Sequence, residues 1–217
     1  MEDLIILGTG VHGAEMAQIV ERVNALKPTW RLLGLIAPDD GAGVEECRGH
    51  PVLGTPAAIS RFPDACFVPD NEFRGFPMPP RERLVSLVDP SSFVSHTARI
   101  GAGCVIYPNC FVGLNAALGD RVFVLSGCVI NHDDYLEGGV VLCSNVTLAG
   151  GVHVEAGCYL GQSCTVRQLL RVGRGSLIGR GSVVVKDVPP DSMMAGNPAR
   201  KLRDREEKVP PGAETRL

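Results

Sequence analysis

The chain has 217 residues, 45% of them hydrophobic and 21% charged; this is the composition of an ordinary globular protein, with room for one large core or two modest ones. A formal net charge of −3 and only 5% aromatic residues give no electrostatic or stacking reason to expect nucleic acid as a partner. No apolar run reaches the ~18 residues of a membrane span, and the acidic start MEDLIILG is not a signal peptide, so the expected location is cytoplasmic, with no membrane partner.

Residues 1–88 alternate strand-like and helix-like segments. Leu4 to Leu7 reads as a short buried strand and Ala14 to Val23 as a helix, with Met16, Ile19, Val20 and Val23 at helical spacing. Leu32 to Ile36 and Cys66 to Val68 are further strands, Gly54 sits at a turn, and Arg81 to Val88 is either a short helix or an approach to the next unit. This order predicts a small α/β unit with a parallel sheet, bounded by the proline-rich stretch 76–80 and by Asp89-Pro90. Gly8-x-Gly10-x-x-Gly13, between strand and helix, has the form of a dinucleotide fingerprint. Two features speak against a dinucleotide. Ala37-Pro38 stands where a ribose-binding acid is needed, with Asp39-Asp40 only afterwards, and the unit is short for a complete dinucleotide domain.

From Val94 onward an aliphatic residue recurs every six positions as far as Val184, sixteen times without a slip. The position four later is mostly small or β-branched, and Cys104, Cys110, Cys128, Cys158 and Cys164 all fall on it. These cysteines are therefore expected to be packing residues in a reducing compartment rather than half-cystines or metal ligands. Glycine after the aliphatic residue (Gly101, Gly113, Gly119, Gly161, Gly173, Gly179) is expected at corners that need positive φ. The pattern is that of a hexapeptide-repeat β-helix, three hexads to an eighteen-residue coil. The tail, residues 203–217, is charged and aperiodic.

One hexad breaks the rule. Ile130-Asn131-His132-Asp133-Asp134-Tyr135 carries four polar residues, one of them a carboxylate at the small inner position. A histidine beside a carboxylate can act as a general base; the alternative is that His132 decorates a solvent-facing corner. Gly150 follows His132 by eighteen residues and so stacks one coil away, either to let a substrate approach or as a routine turn glycine.

The Asn-His-Asp run, the hexads, the Gly-x-Gly-x-His-Gly start and the segment from Val188-Pro189-Pro190 to Ala195-Gly196-Asn197-Pro198-Ala199-Arg200 together resemble the NeuD/PglD-like sialic acid and bacillosamine sugar acetyltransferases over nearly the whole chain. The resemblance implies a Rossmann-like nucleotide-sugar-binding domain (residues 1–88) followed by a left-handed parallel β-helix (residues 89–202), assembled as a homotrimer. It implies acetyl-CoA as cosubstrate, no metal, and direct transfer to a nucleotide-linked amino sugar for bacterial surface glycan synthesis. By the same likeness His132 is the base and Asp133 its partner. Gly150, Gln162 and Arg180 contact acetyl-CoA, Gly150 through an oxyanion-type N–H. Gly10, Val11, His12, Gly54 and Asn131 contact the sugar nucleotide, although His12 can also be read as purely structural. Val141 stands where the bacillosamine enzyme has a second, CoA-contacting histidine.

Other readings are sugar O-acetylation, an inert β-helix scaffold, and a carbonic-anhydrase-type metalloenzyme. The last needs three convergent histidines. His96 and His132 lie two coils apart, roughly 10 Å at one strand spacing per coil, too far for one metal.

Overall fold

The computed structural model describes residues 1–38, 43, 45–73 and 76–205, which leaves Asp39-Asp40 and residues 206–217 outside the described residues. The chain divides into two compact units, with the boundary between Asp89 and Pro90.

In the first unit β1 (Glu2–Leu7) leads through α1 (Val11–Leu26) to β2 (Trp30–Ile36), and the later β5 (Cys66–Pro69) completes a parallel sheet in the order β2-β1-β5. Leu4, Ile5, Ile6 and Leu7 are all fully buried, as expected of a central parallel strand covered on both faces. Ile5 and Leu7 pack with Ile36, Ala58, Ala65, Phe67 and Phe73. The buried stripe Met16, Ala17, Ile19 and Val20 is the apolar face of α1. Two elements had no periodic signal: a hairpin of β3 (Glu46–Cys47) with β4 (His50–Pro51), and a 3₁₀ turn, Pro56–Arg61. The segment 81–88 is a 3₁₀ turn, Arg81–Arg83, followed by a two-residue strand, Leu87–Val88. Among the described residues the sheet is small, three strands with one helix, rather than a full dinucleotide fold.

The second unit is a three-sided solenoid of two-residue strands, from Phe93–Val94 to Val183–Val184. Each strand pairs in parallel with the one eighteen residues on, so Phe93, Phe111, Val129, Thr147, Thr165 and Val183 form one column. The aliphatic member of each hexad points inward; Val112, Ile130, Leu148, Val172 and Ile178 are fully buried. Ser192–Ala195 adds a parallel strand beside Leu177–Ile178, and Arg200–Asp204 returns antiparallel to it. Residues 203–204, expected in the aperiodic tail, are therefore paired, and the Arg205 N–H donates to Asp191 O at 2.7 Å.

The glycines after the aliphatic residue serve a purpose different from the expected one. Positive φ falls two positions later, on Gly103, Gly127 and Gly139 and also on Asn115, Asp133 and Asn145. Gly101 and Gly113 are glycine because a Cβ would lie 2.6 and 2.9 Å from the backbone of the next coil. All eight cysteines are free. The inner thiols also do more than fill space. Cys104, Cys110, Cys128 and Cys158 donate through Sγ to the carbonyls of Gly119, Leu125, Cys143 and Gly173, each fifteen residues on, at 3.0–3.3 Å.

Candidate active site

His132 projects from a solenoid corner with its side chain 67% exposed. Its Nδ1 lies 2.9 Å from Asp133 Oδ2. Asp133 occupies the positive-φ position of its turn, at φ 61°, a conformation that Asp and Asn tolerate better than most residues. Its other oxygen, Oδ1, accepts a hydrogen bond from Asn115 Nδ2 at 3.1 Å. The bond to His132, and then that from Asn115, hold the Asp133 carboxyl below the usual carboxylate range. Asn115 carried no motif. Its place eighteen residues before Asp133 is the signal that could have found it.

Gly150 lies against the imidazole: a Cβ there would stand 2.5 Å from both Cε1 and Nε2 of His132. The routine-turn reading is thereby replaced, because the positive-φ glycine of that corner is Gly151. One coil before, Gly113 lies beneath the His132 peptide, where a Cβ would be 2.9 Å from His132 N. The Gly150 N–H meets no acceptor among the described residues. Asp134 is buried, 1% exposed, and burial pushes its carboxyl up to about 7. Asn131 Nδ2 donates to Leu148 O at 2.7 Å.

In the first unit, Gly10 caps α1 and Val11 and His12 open it, with His12 Nδ1 3.5 Å from Glu15 Oε2. The Gly8 N–H donates to Ile36 O, and Ala37 N–H to Gly54 O, both at 2.8 Å. The glycine turn and Gly54 thus meet at the carboxyl ends of β1 and β2, where open α/β sheets place ligands. A Cβ on Gly8 would fall on the Asp70 carboxylate, and one on Gly10 would lie 2.5 Å from Glu72 Oε2. Asp70 is buried; its Oδ1 accepts from the N–H groups of Glu72 and Phe73 at 2.8 Å, and burial pushes it up to about 7. Two carboxylates thus flank the glycines that a dinucleotide diphosphate would need to approach. Sequence reasoning missed both acids, which follow β5 directly.

Gln162 and Arg180 are exposed and stack one coil apart, with Gly181 N–H donating to Gln162 O at 2.8 Å. Their column is a different corner of the solenoid from that of His132 and Gly150, so one copy of the second unit does not bring the two pairs together. Val141 is buried between Phe123 and Tyr159 on a solenoid face. His153 is engaged elsewhere, its Nε2 2.8 Å from Glu137 Oε1 and its ring against Tyr135. Among the described residues no group of His, Cys, Asp and Glu is placed to hold a metal ion, and no helix is long and apolar enough to cross a membrane.

No family model and no curated protein matches the chain. Solved structures do. The acetyltransferase domain of PglB from Neisseria gonorrhoeae is 26% identical, with 93% of this chain and 100% of that one aligned and a TM-score of 0.78. A variant of the GDP-perosamine N-acetyltransferase from Caulobacter crescentus, in complex with CoA and GDP-perosamine, is 25% identical over 94% of this chain and 98% of that one, with a TM-score of 0.81. WeeI from Acinetobacter baumannii, at 22% identity and a TM-score of 0.77 over 93% and 100%, shares the fold. A hexapeptide solenoid with a His-Asp pair on one corner, matched end to end by such proteins, is an acyltransferase of the hexapeptide-repeat class. Within that class the chain is similar to sugar N-acetyltransferases, the group to which the NeuD/PglD-like resemblance of its sequence points.

Proposed function

We propose that the protein transfers the acetyl group of acetyl-CoA to the amine of a nucleotide-linked amino sugar by direct attack. The observation that carries this reading is the His132–Asp133 pair, with Nδ1 held at 2.9 Å and the Nε2 edge of the ring on Gly150. Asp133, kept ionised, favours the tautomer with its proton on Nδ1 and leaves Nε2 as the acceptor. The sugar nitrogen attacks the thioester carbonyl, its proton passes to Nε2, and the tetrahedral intermediate collapses with loss of CoA thiolate, which takes the proton. The Gly150 N–H is the assigned donor to the carbonyl oxygen as it becomes negative. Arg180 and Gln162 are assigned to CoA, Arg180 as a partner for a phosphate.

The N-terminal unit is read as Rossmann-like, with Gly10, Val11, His12 and Gly54 holding the nucleotide-sugar; the bound GDP-perosamine of the Caulobacter enzyme supports that substrate class. The β-helix is assigned the left-handed sense of its family and the protein a cytoplasmic location, which its eight free thiols suit. We also assign a homotrimer. The outward column Phe93, Phe111, Val129, Thr147, Thr165 and Val183 carries no charge, and Phe93 and Phe111 stack at 5.2 Å while 57% and 41% exposed, an apolar strip fit for a second copy of the chain. A trimer would also give the Gln162 and Arg180 corner of one copy a route to the His132 corner of another.

The test is CoA release from acetyl-CoA across UDP-, GDP- and CMP-linked amino sugars, with products identified by mass. One sugar is expected to be N-acetylated, and His132→Ala to abolish the transfer. Full activity in His132→Ala, or transfer to a hydroxyl alone, overturns the proposal.

A further inference from the structure

Two hydrogen-bond rules recur along the solenoid, and side-chain bonds replace both at the corner of His132 and Gly150. Under the first rule, the residue after the inward aliphatic donates its N–H to the carbonyl seventeen residues on. Gly101 reaches Leu118, Gly113 reaches Ile130, Gly119 reaches Leu136 and Gly161 reaches Ile178, all at 2.7–2.8 Å. Asn131 holds this position, yet its N–H turns to Asp134 Oδ2 at 2.7 Å. The carbonyl it leaves, that of Leu148, is taken at 2.7 Å by Asn131's own side-chain nitrogen.

Under the second rule, which only some turns follow and which Cys110 leaves by donating to Ser92 Oγ at 2.9 Å, the inner residue donates to the carbonyl three residues back. Ala98 to Ser95, Ala116 to Gly113, Val146 to Cys143, Cys164 to Gly161 and Ser182 to Gly179 do so at 3.0–3.3 Å. Val152 is the inner residue one coil after Asp134, and its N–H goes instead to Asp134 Oδ1 at 2.8 Å. One buried carboxylate therefore grips two backbone N–H groups from successive coils. One belongs to the residue before His132, the other lies two residues after Gly150.

Packing alone favours the small or β-branched residue found at most other inner positions, because a buried carboxylate carries a desolvation cost. The immediate neighbours of Asp134 in sequence on the N-terminal side, His132 and Asp133, belong to the same turn. We infer that Asn131 and Asp134 are positioning residues that lock the His132 turn to the Gly150 turn through side-chain bonds to backbone groups of both coils. The inference rests on the acetyl-transfer reading for its consequence, since the distance so fixed is that between the base and the proposed oxyanion donor.

Asn131→Gly/Asp134→Val restores the ordinary hexad at this corner. The double variant is expected to fold with a melting temperature equal to or above that of the parent. Its kcat is expected to fall roughly tenfold to a hundredfold, as misplacement of a reacting group does. Each single variant should lose about as much as the double, because the two act as a unit. Asp134→Asn, which keeps one acceptor oxygen, should retain more activity than Asp134→Val. Independently of turnover, the ring C–H resonance of His132, assigned by its loss in His132→Ala, should shift in the double variant while that of His153 stays. A double variant whose kcat stays within about twofold of the parent overturns the inference. If the parent acetylates no sugar in the panel, the acetyl-transfer reading fails; the positioning of His132 is then decided by its resonance, a shift supporting it and an unmoved signal overturning it.

Discussion

His132, Asp133 and Gly150 form the smallest working unit of the protein, and each can be tested by a one-step change. Gly150→Ala puts a Cβ 2.5 Å from the imidazole, so the ring must swing away. Transfer should fall by roughly a hundredfold while the circular dichroism spectrum is unchanged, since φ at this position demands no glycine. Asp133→Asn keeps the shape but removes the carboxylate charge beside Nδ1, and kcat should drop roughly tenfold or more in a steady-state assay. The buried acids predict a pH effect on stability. Asp70 and Asp134 are both pushed up to about 7 by burial, whereas unfolded carboxyls titrate near 4. Between about pH 4 and 7 the native state therefore holds protons that the unfolded chain has released. The stability that the neutral carboxyls contribute is complete at the acid end of this window and is lost as pH rises through 7. Melting temperature should fall from pH 5 to pH 8, and Asp134→Asn should flatten that slope; an unchanged slope in the variant counts against the assignment. The His-Asp pair and Gly150 were legible in the sequence because the repeat numbers its own corners. The exchange of hydrogen bonds between Asn131 and Asp134 was not, since it depends on where two N–H groups point rather than on which residues recur.

Among the elements, the solenoid strands are two residues long and owe their stability to stacking rather than to length. Leu148 is fully buried and its carbonyl anchors Asn131. Leu148→Ala should cost about 2–5 kcal/mol in denaturant unfolding and lower transfer as well. Leu142→Ala, equally buried but in a strand on another face of the solenoid, should destabilise comparably with less effect on the rate per folded molecule. The sequence carried the period, the register and the inward face without error, because a six-residue rhythm admits few packings. It misassigned the glycines: composition marks glycine but does not tell a backbone that must turn from one that must approach its neighbour. The hairpin Glu46–Cys47 with His50–Pro51 was equally invisible, two-residue strands being too short to show alternation.

On the scale of the whole molecule, the uncharged column headed by Phe93 and Phe111 is the feature open to direct test. Phe93→Asp/Phe111→Asp should shift the mass found by light scattering from three chains toward one, and transfer should fall with it. A monomeric parent at micromolar concentration would remove the assembly from the proposal. The thiols inside the solenoid offer a separate use. Burial pushes Cys158 and Cys164 up to about 12. Protonated and enclosed, they are poor nucleophiles in the native state. Alkylation rates with a water-soluble maleimide, followed site by site by mass spectrometry, would therefore act as stopwatches placed along the coil axis. The order in which the sulfurs become labelled under mild denaturant would reveal whether the solenoid unwinds from one end or opens all at once.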